Sequence, residues 1–193
     1  ANSQQISYWA DPKPGMKVID ACAGAGGKSL HMAALMENRG NIIALDISNS
    51  KLDQLMKRVH RNRINIIETH DANDTSFFTS KKEKADIVLI DAPCSGLGIL
   101  RRNPAAKWHI NPERMKELQS LQFQIIQKNA ALVKKGGKLI YATCSIFPSE
   151  NSEQIQAFLN SEAGKRFTLK REETLLAHQT GFDGFFIAEL NAE

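Results

Sequence analysis

The chain has 193 residues, a length that suits one domain built around a single hydrophobic core. Its 25 lysines and arginines exceed its 21 aspartates and glutamates, and the net charge of +4 permits a polyanionic partner such as RNA without requiring one. Three cysteines in no metal-like spacing argue against a disulfide framework and a zinc site, and no apolar run approaches membrane-spanning length. We therefore expect a cytoplasmic monomer with reduced thiols, no metal and no membrane contact.

The first half of the chain alternates short apolar runs with helical patterns. Strands are predicted at 17–21, 41–46, 65–69 and 84–93, and helices at 28–38 and after Ser48. In the second of these helices Leu52, Leu55 and Val59 follow the spacing i, i+3, i+7, which places them on one face. A polar stretch, 70–76, follows the third strand, and no element is predicted there.

The second half continues the alternation. The longest helix is predicted to begin at Asn111, with Pro112 at its first helical position, because Asn caps a helix and Pro suits its first turn. Its expected buried stripe is Met115, Leu118, Leu121, Ile125, Leu132 and Val133, ending at 134–137. A strand is predicted over 138–145, a helix over 149–160, and two strands near 166–170 and 184–190. Apolar strands alternating with helices predict a doubly wound α/β domain whose ligand binds at the carboxyl ends of the strands.

A glycine-rich stretch, Asp20–Ser29, follows the first predicted strand. It misses the triphosphate-loop pattern, because Cys22 stands where the first glycine belongs, and the dinucleotide pattern, because Ser29 replaces the third glycine. Asp46 ends the next strand, where a carboxylate can accept hydrogen bonds from both ribose hydroxyls. These features indicate a nucleoside-type cofactor without a pyrophosphate, of which S-adenosylmethionine is the commonest. The alternative is that the glycines only form a tight turn.

Cys94 and Cys144 each come just after a predicted parallel strand, and each is followed by a serine. A buried cysteine usually behaves as a small hydrophobic residue, and Cys22 keeps that interpretation. Two cysteines at equivalent strand ends are harder to explain in this way, because the carboxyl ends of parallel strands meet at one edge of the sheet. We therefore expect both sulfurs to face one cavity beside the cofactor.

Together these stretches resemble the RNA cytosine-5 methyltransferases of the Fmu/Sun and Nop2 type. The residues that carry the resemblance are Asp20–Ser29, Asp46, His70–Ala72, Asp91–Gly98, Arg101–Pro104, Trp108, Tyr141–Ser145 and Asp183–Ala188. The specific part is Pro-Cys-Ser followed later by Thr-Cys-Ser. The resemblance implies a Rossmann-like sheet with an antiparallel strand near the C-terminus, for which 184–190 is the candidate. It points to the bacterial enzymes that act on small-subunit ribosomal RNA.

The resemblance also implies the chemistry, which is transfer of a methyl group from S-adenosylmethionine to carbon 5 of a cytosine. A thiolate adds to carbon 6 so that carbon 5 can attack the methyl group, and a base then removes the carbon-5 proton. Cys144 is implied as the nucleophile and Cys94 as the thiol that assists product release, whereas analogy with DNA cytosine methyltransferases would select Cys94. Asp91 is implied to contact the cytosine edge, with a helix cap or turn acid as the alternative. Lys28 is implied to touch the cofactor or that acid, with a solvated lysine as the alternative.

Other residues are assigned to the cofactor by the same resemblance, and to RNA by their place after the Pro-Cys loop. Asp71 matches an adenine-side contact, with a turn-forming aspartate as the alternative. Arg101, Arg102 and Trp108 are candidates for contact with RNA, the alternative being a solvated basic loop with Trp108 packed on the core. The full set expected around the cofactor is Cys22, Ala23, Gly24, Ala25, Gly26, Gly27, Lys28, Asp46, Asp71 and Asp91.

Three features depart from the pattern of that family. The first loop has Gly24-Ala25-Gly26 where Ala-Pro-Gly is common, and the turn is expected to survive. Ala105 replaces an acid that usually follows Arg-Arg-x-Pro, which affects local substrate contacts. The family's RNA-binding region is expected to be absent, so that 1–193 forms a single catalytic domain with 1–15 as a lead-in.

Two other functions remain open from the residues. The chain could be an S-adenosylmethionine-dependent methyltransferase that acts on another acceptor. It could also be a non-catalytic RNA-binding module that keeps the fold. Loss of turnover on thiol blockade, with cofactor binding retained, separates the cysteine mechanism from the first alternative.

Overall fold

The computed structural model describes residues 2–108 and 110–193. Within these ranges one sheet contains the strands β1 Lys17–Asp20, β2 Asn41–Asp46, β3 Ile67–Asp71, β4 Ala85–Asp91, β5 Val133–Thr143, β6 Phe167–Leu175 and β7 Phe185–Ala192. The α-helices are α1 Asn2–Ala10, α2 Gly27–Leu35, α3 Asn49–Arg61, α4 Thr75–Ser80, α5 Pro112–Ala130, α6 Ser152–Leu159 and α7 Ala177–Thr180. Short 3-10 helices lie at Leu97–Ile99, Pro104–Trp108, Pro148–Glu150 and Glu162–Gly164.

The strand order β3-β2-β1-β4-β5-β7-β6 confirms the predicted doubly wound sheet. The first five strands in this order run parallel, and β7 is antiparallel to both of its neighbours. The strand predicted at 184–190 is therefore the antiparallel one. The chain order reverses between β1 and β4, and ligands of open α/β sheets bind at such a reversal. The carboxyl ends of β1 and β4 are Asp20 and Asp91.

The central strands are apolar along their length because helices cover both faces of the sheet. Leu89 of β4 packs with residues of α1, α2 and α3, including Ile6 and Val59. Ile90, the next residue, packs on the opposite face with Ile126 of α5 and with residues of α6. Both strand residues are fully buried, as the alternation of side chains along a strand requires when both faces are covered.

The predicted buried stripe of α5 is wrong in part. Leu121 is 41% exposed, whereas Gln122, one residue further, is fully buried. The helix ends at Ala130, and Val133, predicted within the stripe, is the first residue of β5. Apolar periodicity missed Gln122 because this side chain is buried through hydrogen bonds, its Nε2 donating to the Pro93 carbonyl oxygen at 3.0 Å.

Three of the described α-helices, namely α1, α4 and the four-residue α7, lie in segments where none was predicted. The segment 1–15 contains α1, whose Ile6 and Ala10 are fully buried. The polar stretch after β3 contains the short helix α4, which Asp74 caps by accepting a hydrogen bond from the Ser76 backbone N–H. Across the described ranges, no helix has the length and apolar character needed to cross a bilayer.

Candidate active site

The turn between β1 and α2 depends on glycine at two positions. Gly24 has φ +55° and Gly26 has φ +82°, a backbone region that side chains with a Cβ rarely adopt. A Cβ on Gly26 would also lie 2.0 Å from Leu55 Cδ1. The turn is fastened to β2, since the Ala23 N–H donates to the Leu45 carbonyl oxygen at 2.9 Å. The backbone of the turn is thereby held at the carboxyl edge of the sheet.

Asp46 faces this turn from the end of β2. Its Oδ2 accepts a hydrogen bond from the Gly24 N–H at 2.9 Å, and its Oδ1 accepts one from the Ser48 N–H at 2.9 Å. A carboxylate offers about four acceptor positions, so both oxygens keep capacity for further donors. The buried carboxylate is therefore suited to accept from a pair of ribose hydroxyls.

A cavity of about 470 Å³ lies between the turn and the end of β4. Among the predicted residues, Cys22, Gly24, Asp46 and Asp91 line it. Its wall also includes residues that the sequence analysis did not assign to the cofactor, among them Ile47, Lys51, Ala72, Asn73, Phe78 and Lys128. The only signal for Phe78 was its place in the aromatic pair Phe77–Phe78, because the helix that carries it was not predicted.

Asp71 is exposed at the end of β3. Its Oδ1 accepts from the Asn73 N–H at 2.8 Å, and its carbonyl oxygen accepts from the Asp74 N–H at 3.1 Å. This is the geometry of the turn-forming alternative. The adenine-side role of Asp71 remains a prediction, and the neighbours that line the cavity here are Ala72 and Asn73.

The remaining residues of the glycine turn have structural partners. The Ala25 carbonyl oxygen accepts from Arg58 Nη1 at 2.6 Å, and Gly27 is the first residue of α2. Burial raises the pKa of the Cys22 thiol well above its ordinary value, so this thiol stays protonated. Cys22 thus forms part of the cavity wall without the character of a nucleophile.

The two predicted catalytic thiols meet at the ends of β4 and β5. The sulfurs of Cys94 and Cys144 lie 3.3 Å apart, and both side chains are half-buried. With the shared proton on Cys94, the hydrogen bond to Cys144 lowers the pKa of Cys144 and raises that of Cys94. Either sulfur can donate this hydrogen bond; when Cys94 donates it, Cys144 is the thiol that ionises more readily, and the thiolate is the reactive form.

Lys28 and Asp91 form an ion pair beside the thiols. Asp91 also lines the cavity, and both charges act on the Cys144 thiol, so the pair lies between the cavity and the thiols. Beneath it, Asp20 is fully buried and accepts from the Ser29 hydroxyl at 2.6 Å. Burial raises the pKa of Asp20 to about 6, against the smaller opposing effects of the Ser29 hydrogen bond and the Lys28 charge.

The basic loop after the Cys94 segment is partly tied down. Arg101 Nη1 donates to the Gly181 carbonyl oxygen at 3.0 Å, and Arg102 Nε lies 2.7 Å from Asp183 Oδ2. Trp108 is 79% exposed, with Lys107 Nζ 4.8 Å from its ring centroid. The alternative in which Trp108 packs on the core is therefore excluded, and an aromatic face is open to solvent.

Known proteins resemble this chain over nearly its whole length. The family model described as 16S rRNA methyltransferase RsmB/F matches residues 7–191. A probable ribosomal RNA small subunit methyltransferase B of Bacillus subtilis is 37% identical over 98% of this chain and 46% of its own length. Ribosomal RNA small subunit methyltransferase B of Serratia proteamaculans is 34% identical over 98% of this chain and 45% of its own. The chain spans about half the length of the curated relatives it matches.

Solved structures give the same fold. NSun6 from Pyrococcus horikoshii, solved with SFG, superposes with a TM-score of 0.87 at 26% identity, over 98% of this chain and 51% of that one. A methyltransferase homologue from Pyrococcus horikoshii superposes with a TM-score of 0.85 at 28% identity, over 99% of this chain and 66% of that one.

Proposed function

Because the chain belongs to the 16S rRNA methyltransferase RsmB/F family, we propose that it transfers a methyl group from S-adenosylmethionine to carbon 5 of a cytosine in small-subunit ribosomal RNA. The observation that carries the proposal is the pair of sulfurs, Cys94 and Cys144, 3.3 Å apart beside a cofactor-sized cavity. Two adjacent thiols suit a reaction in which one adds to the base and the other assists its departure. The described chain is proposed to act as one catalytic domain.

The cavity suits the cofactor by the chemistry of its wall. Gly24 presents backbone without a Cβ, and Asp46 offers acceptors for ribose hydroxyls. Phe78 adds an aromatic surface and Ile47 an apolar one. A structural relative was solved with SFG, an analogue of this cofactor. When bound, S-adenosylmethionine supplies an electrophilic methyl group.

Cys144 is proposed to attack carbon 6 of the cytosine. Its hydrogen bond from Cys94 favours the thiolate, which forms the new carbon–sulfur bond. The electron pair of the 5,6 double bond moves to carbon 5, which becomes the methyl acceptor. Once carbon 5 carries the methyl group, a base takes the carbon-5 proton and the electrons of that carbon–hydrogen bond restore the 5,6 double bond. Cys144 leaves with the electrons of the carbon–sulfur bond as thiolate, and Cys94 assists this release.

Asp91 is proposed to bind the amino and ring-nitrogen edge of the same base. It lies on the cavity wall and is paired with Lys28, which holds the carboxylate in place. The ion pair would favour protonation of the ring nitrogen as negative charge develops during thiolate addition. Lys28 is thus proposed to act through Asp91.

The target base must leave its stack to reach both thiols, so the substrate is proposed to be single-stranded or flipped RNA. Arg101 and Arg102 supply positive charge on the loop that follows Cys94. The exposed ring of Trp108 offers a surface on which a base can stack. These three residues are proposed to contact RNA near the target cytosine.

The test incubates the chain and its Cys144→Ser and Cys94→Ser variants with cytosine-containing RNA and methyl-labelled cofactor. Cys144→Ser is expected to give no methylated RNA, because serine is a far weaker nucleophile at neutral pH. Cys94→Ser is expected to accumulate a protein–RNA adduct that survives denaturing electrophoresis. The reverse pattern would exchange the two roles.

Cofactor binding, measured separately by calorimetry, is the control and should be retained in both variants. Methyl transfer that persists in Cys144→Ser would favour an acceptor other than cytosine. Binding of RNA and cofactor with no transfer by the unaltered chain would favour a non-catalytic RNA-binding module.

A further inference from the structure

Glu150 is a fully buried carboxylate directly behind the two thiols. Its Oε1 accepts from the Ser95 N–H at 2.8 Å and from Gln122 Nε2 at 3.0 Å, and its Oε2 accepts from the Ser95 hydroxyl at 2.5 Å. The ion pairs found among residues 2–108 and 110–193 do not include Glu150. Burying a carboxylate against neutral donors is costly, so its presence here calls for a role beyond stability.

These contacts hold the segment that carries Cys94. Ser95 is its immediate neighbour, and both the backbone and the hydroxyl of Ser95 donate to Glu150. Gln122 of α5 bridges the same carboxylate to the Pro93 carbonyl oxygen, on the other side of Cys94. The Cys94 loop is thus fixed at the residues before and after the thiol.

The next residue, Asn151, holds the Cys144 segment in the same way. Its Nδ2 donates to the Ser145 carbonyl oxygen at 3.1 Å, and its Oδ1 accepts from the Thr143 hydroxyl at 2.6 Å. Thr143 and Ser145 flank Cys144. Glu150 therefore binds the Cys94 loop, and Asn151 binds the Cys144 loop, through hydrogen bonds to the residues that flank each cysteine.

The hydrogen bonds around Glu150 and those around Asn151 are also connected to one another. The hydroxyl oxygens of Ser95 and Ser145 lie 3.3 Å apart, and the Tyr141 hydroxyl donates to the Glu150 carbonyl oxygen at 2.7 Å. Ser95, Ser145, Glu150 and Tyr141 are all buried, so water does not compete for these bonds. The distance between the loops is consequently set by the Glu150–Asn151 backbone.

We propose that Glu150 and Asn151 are positioning residues that fix the separation of the Cys94 and Cys144 sulfurs. Their catalytic consequence rests on the proposed function, because it requires that the two thiols act in sequence on one base. Neither residue needs to touch the substrate or cofactor. They keep the hydrogen bond between the two sulfurs intact, and in this way they affect the reactivity of Cys144 without touching it.

The test measures the alkylation of Cys144 by iodoacetamide as a function of pH, with the modified peptide quantified by mass spectrometry. Loss of the hydrogen bond from Cys94 raises the pKa of Cys144, so Glu150→Ala should move the alkylation midpoint to higher pH. Below the midpoint its rate should fall about three- to tenfold, since one pKa unit changes the thiolate fraction tenfold. Cys94→Ala, which removes the donor itself, sets the largest shift to be expected.

Glu150→Gln is the conservative variant. Its amide oxygen can accept from the Ser95 N–H and from Gln122, and its amide nitrogen can donate to the Ser95 hydroxyl oxygen. It should therefore restore most of the alkylation profile that Glu150→Ala loses. Asn151→Ala should shift the profile in the same direction as Glu150→Ala.

Val59→Ala controls for lost stability. Val59 is buried on α3, which packs mainly against β2 and β3, and its truncation should lower the unfolding midpoint without moving the alkylation profile of Cys144. An equal shift in Val59→Ala, or an unmoved profile in a folded Glu150→Ala, would overturn the positioning role. If Glu150→Ala does not fold, Ser95→Ala takes its place, and an unshifted profile there has the same meaning.

A second readout concerns turnover. In Glu150→Ala the kcat for methyl transfer should fall at least as far as the alkylation rate, with KM for RNA and cofactor unchanged. Because alkylation needs neither RNA nor cofactor, it tests the positioning role even if the unaltered chain transfers no methyl group. Failure of the proposed function would thus appear as a shifted alkylation profile without turnover in any variant.

Discussion

The cofactor end of the cavity and the thiol end beside it are held by different kinds of interaction. At the cofactor end, the backbone of Gly24 and Gly26 makes the turn, and Asp46 accepts one main-chain hydrogen bond from it, from the Gly24 N–H. At the thiol end, buried side chains around Glu150 hold two loops that have no regular structure at the cysteines. The first arrangement joins the β1–α2 turn to the end of β2, mostly through the main chain. The second joins the segment after β4, α5 and the segment after β5 through side chains.

This difference determines which substitutions should disrupt each end of the site. A backbone turn tolerates changes in neighbouring side chains but not a Cβ where glycine is required. A side-chain network tolerates isosteric replacement but not the loss of one acceptor, because the donors left behind stay buried and unpaired. Substitutions at the two ends should therefore separate cofactor affinity from thiol reactivity.

The largest effect is expected at the cofactor end, from Gly26→Ala. The new Cβ would meet Leu55 Cδ1 at 2.0 Å in a residue with φ +82°. The left-handed backbone costs about 1–2 kcal/mol and overpacking about 1–3 kcal/mol, so unfolding by urea should show a loss of about 2–5 kcal/mol. Cofactor affinity, measured by calorimetry, should fall with it.

Gly136→Ala is the matched control. Gly136 has φ +71° but no atom within 4 Å of an added Cβ, and it lies in β5 away from the cavity. It should lose only the backbone contribution of about 1–2 kcal/mol and keep its cofactor affinity. Equal losses in both variants would mean that the contact with Leu55 is unimportant.

The sequence predicted the strand ends that border the cavity, because the signals for these strands are local. Asp20–Ser29 and Asp46 stand at strand ends whose apolar runs are easily recognised, and the predicted doubly wound sheet with its antiparallel strand is confirmed. The predicted resemblance to the Fmu/Sun methyltransferases is likewise confirmed by the family match. Assignment of individual residues to cofactor, base and RNA stays a prediction.

The support behind the thiols was not predictable in the same way. Gln122 interrupts an apolar stripe, so the pattern predicts that it lies on the surface. Glu150 is an acidic residue near the start of a predicted helix, a position where acidic residues are common. Their burial depends on each other and on Ser95, which are far apart in the chain. Periodicity reports only the average polarity of a face, so it placed Leu121 in the core instead.

A second test concerns Asp20, the buried carboxyl group at the end of β1. Burial raises its pKa to about 6 from an ordinary value of 3.8, so the folded protein binds this proton more tightly than the unfolded chain. The charged carboxylate therefore destabilises the fold above about pH 6, and this cost disappears as the pH falls towards 4. Asp20→Asn, which keeps an acceptor for Ser29, should be more stable than the unaltered chain at high pH.

The measurement is the difference in unfolding free energy between Asp20→Asn and the unaltered chain. It should grow by roughly 3 kcal/mol between about pH 4 and about pH 8, since one pKa unit corresponds to about 1.4 kcal/mol. Asp53→Asn, at an exposed position on α3, should give a flat difference. A flat profile for Asp20→Asn as well would mean that this carboxyl is not perturbed by burial.

The smallest effect is expected outside both ends, from Trp108→Ala on the proposed RNA face. The ring is 79% exposed, so its removal should leave the unfolding midpoint and cofactor affinity unchanged. Loss of one stacked base should weaken RNA binding by about 1–3 kcal/mol, measured by fluorescence anisotropy at fixed salt. Tyr8→Ala removes another exposed aromatic ring, on α1, and should leave RNA affinity unchanged. Equal affinity in Trp108→Ala and the unaltered chain would place the RNA path elsewhere and leave the comparison between the two ends of the cavity intact.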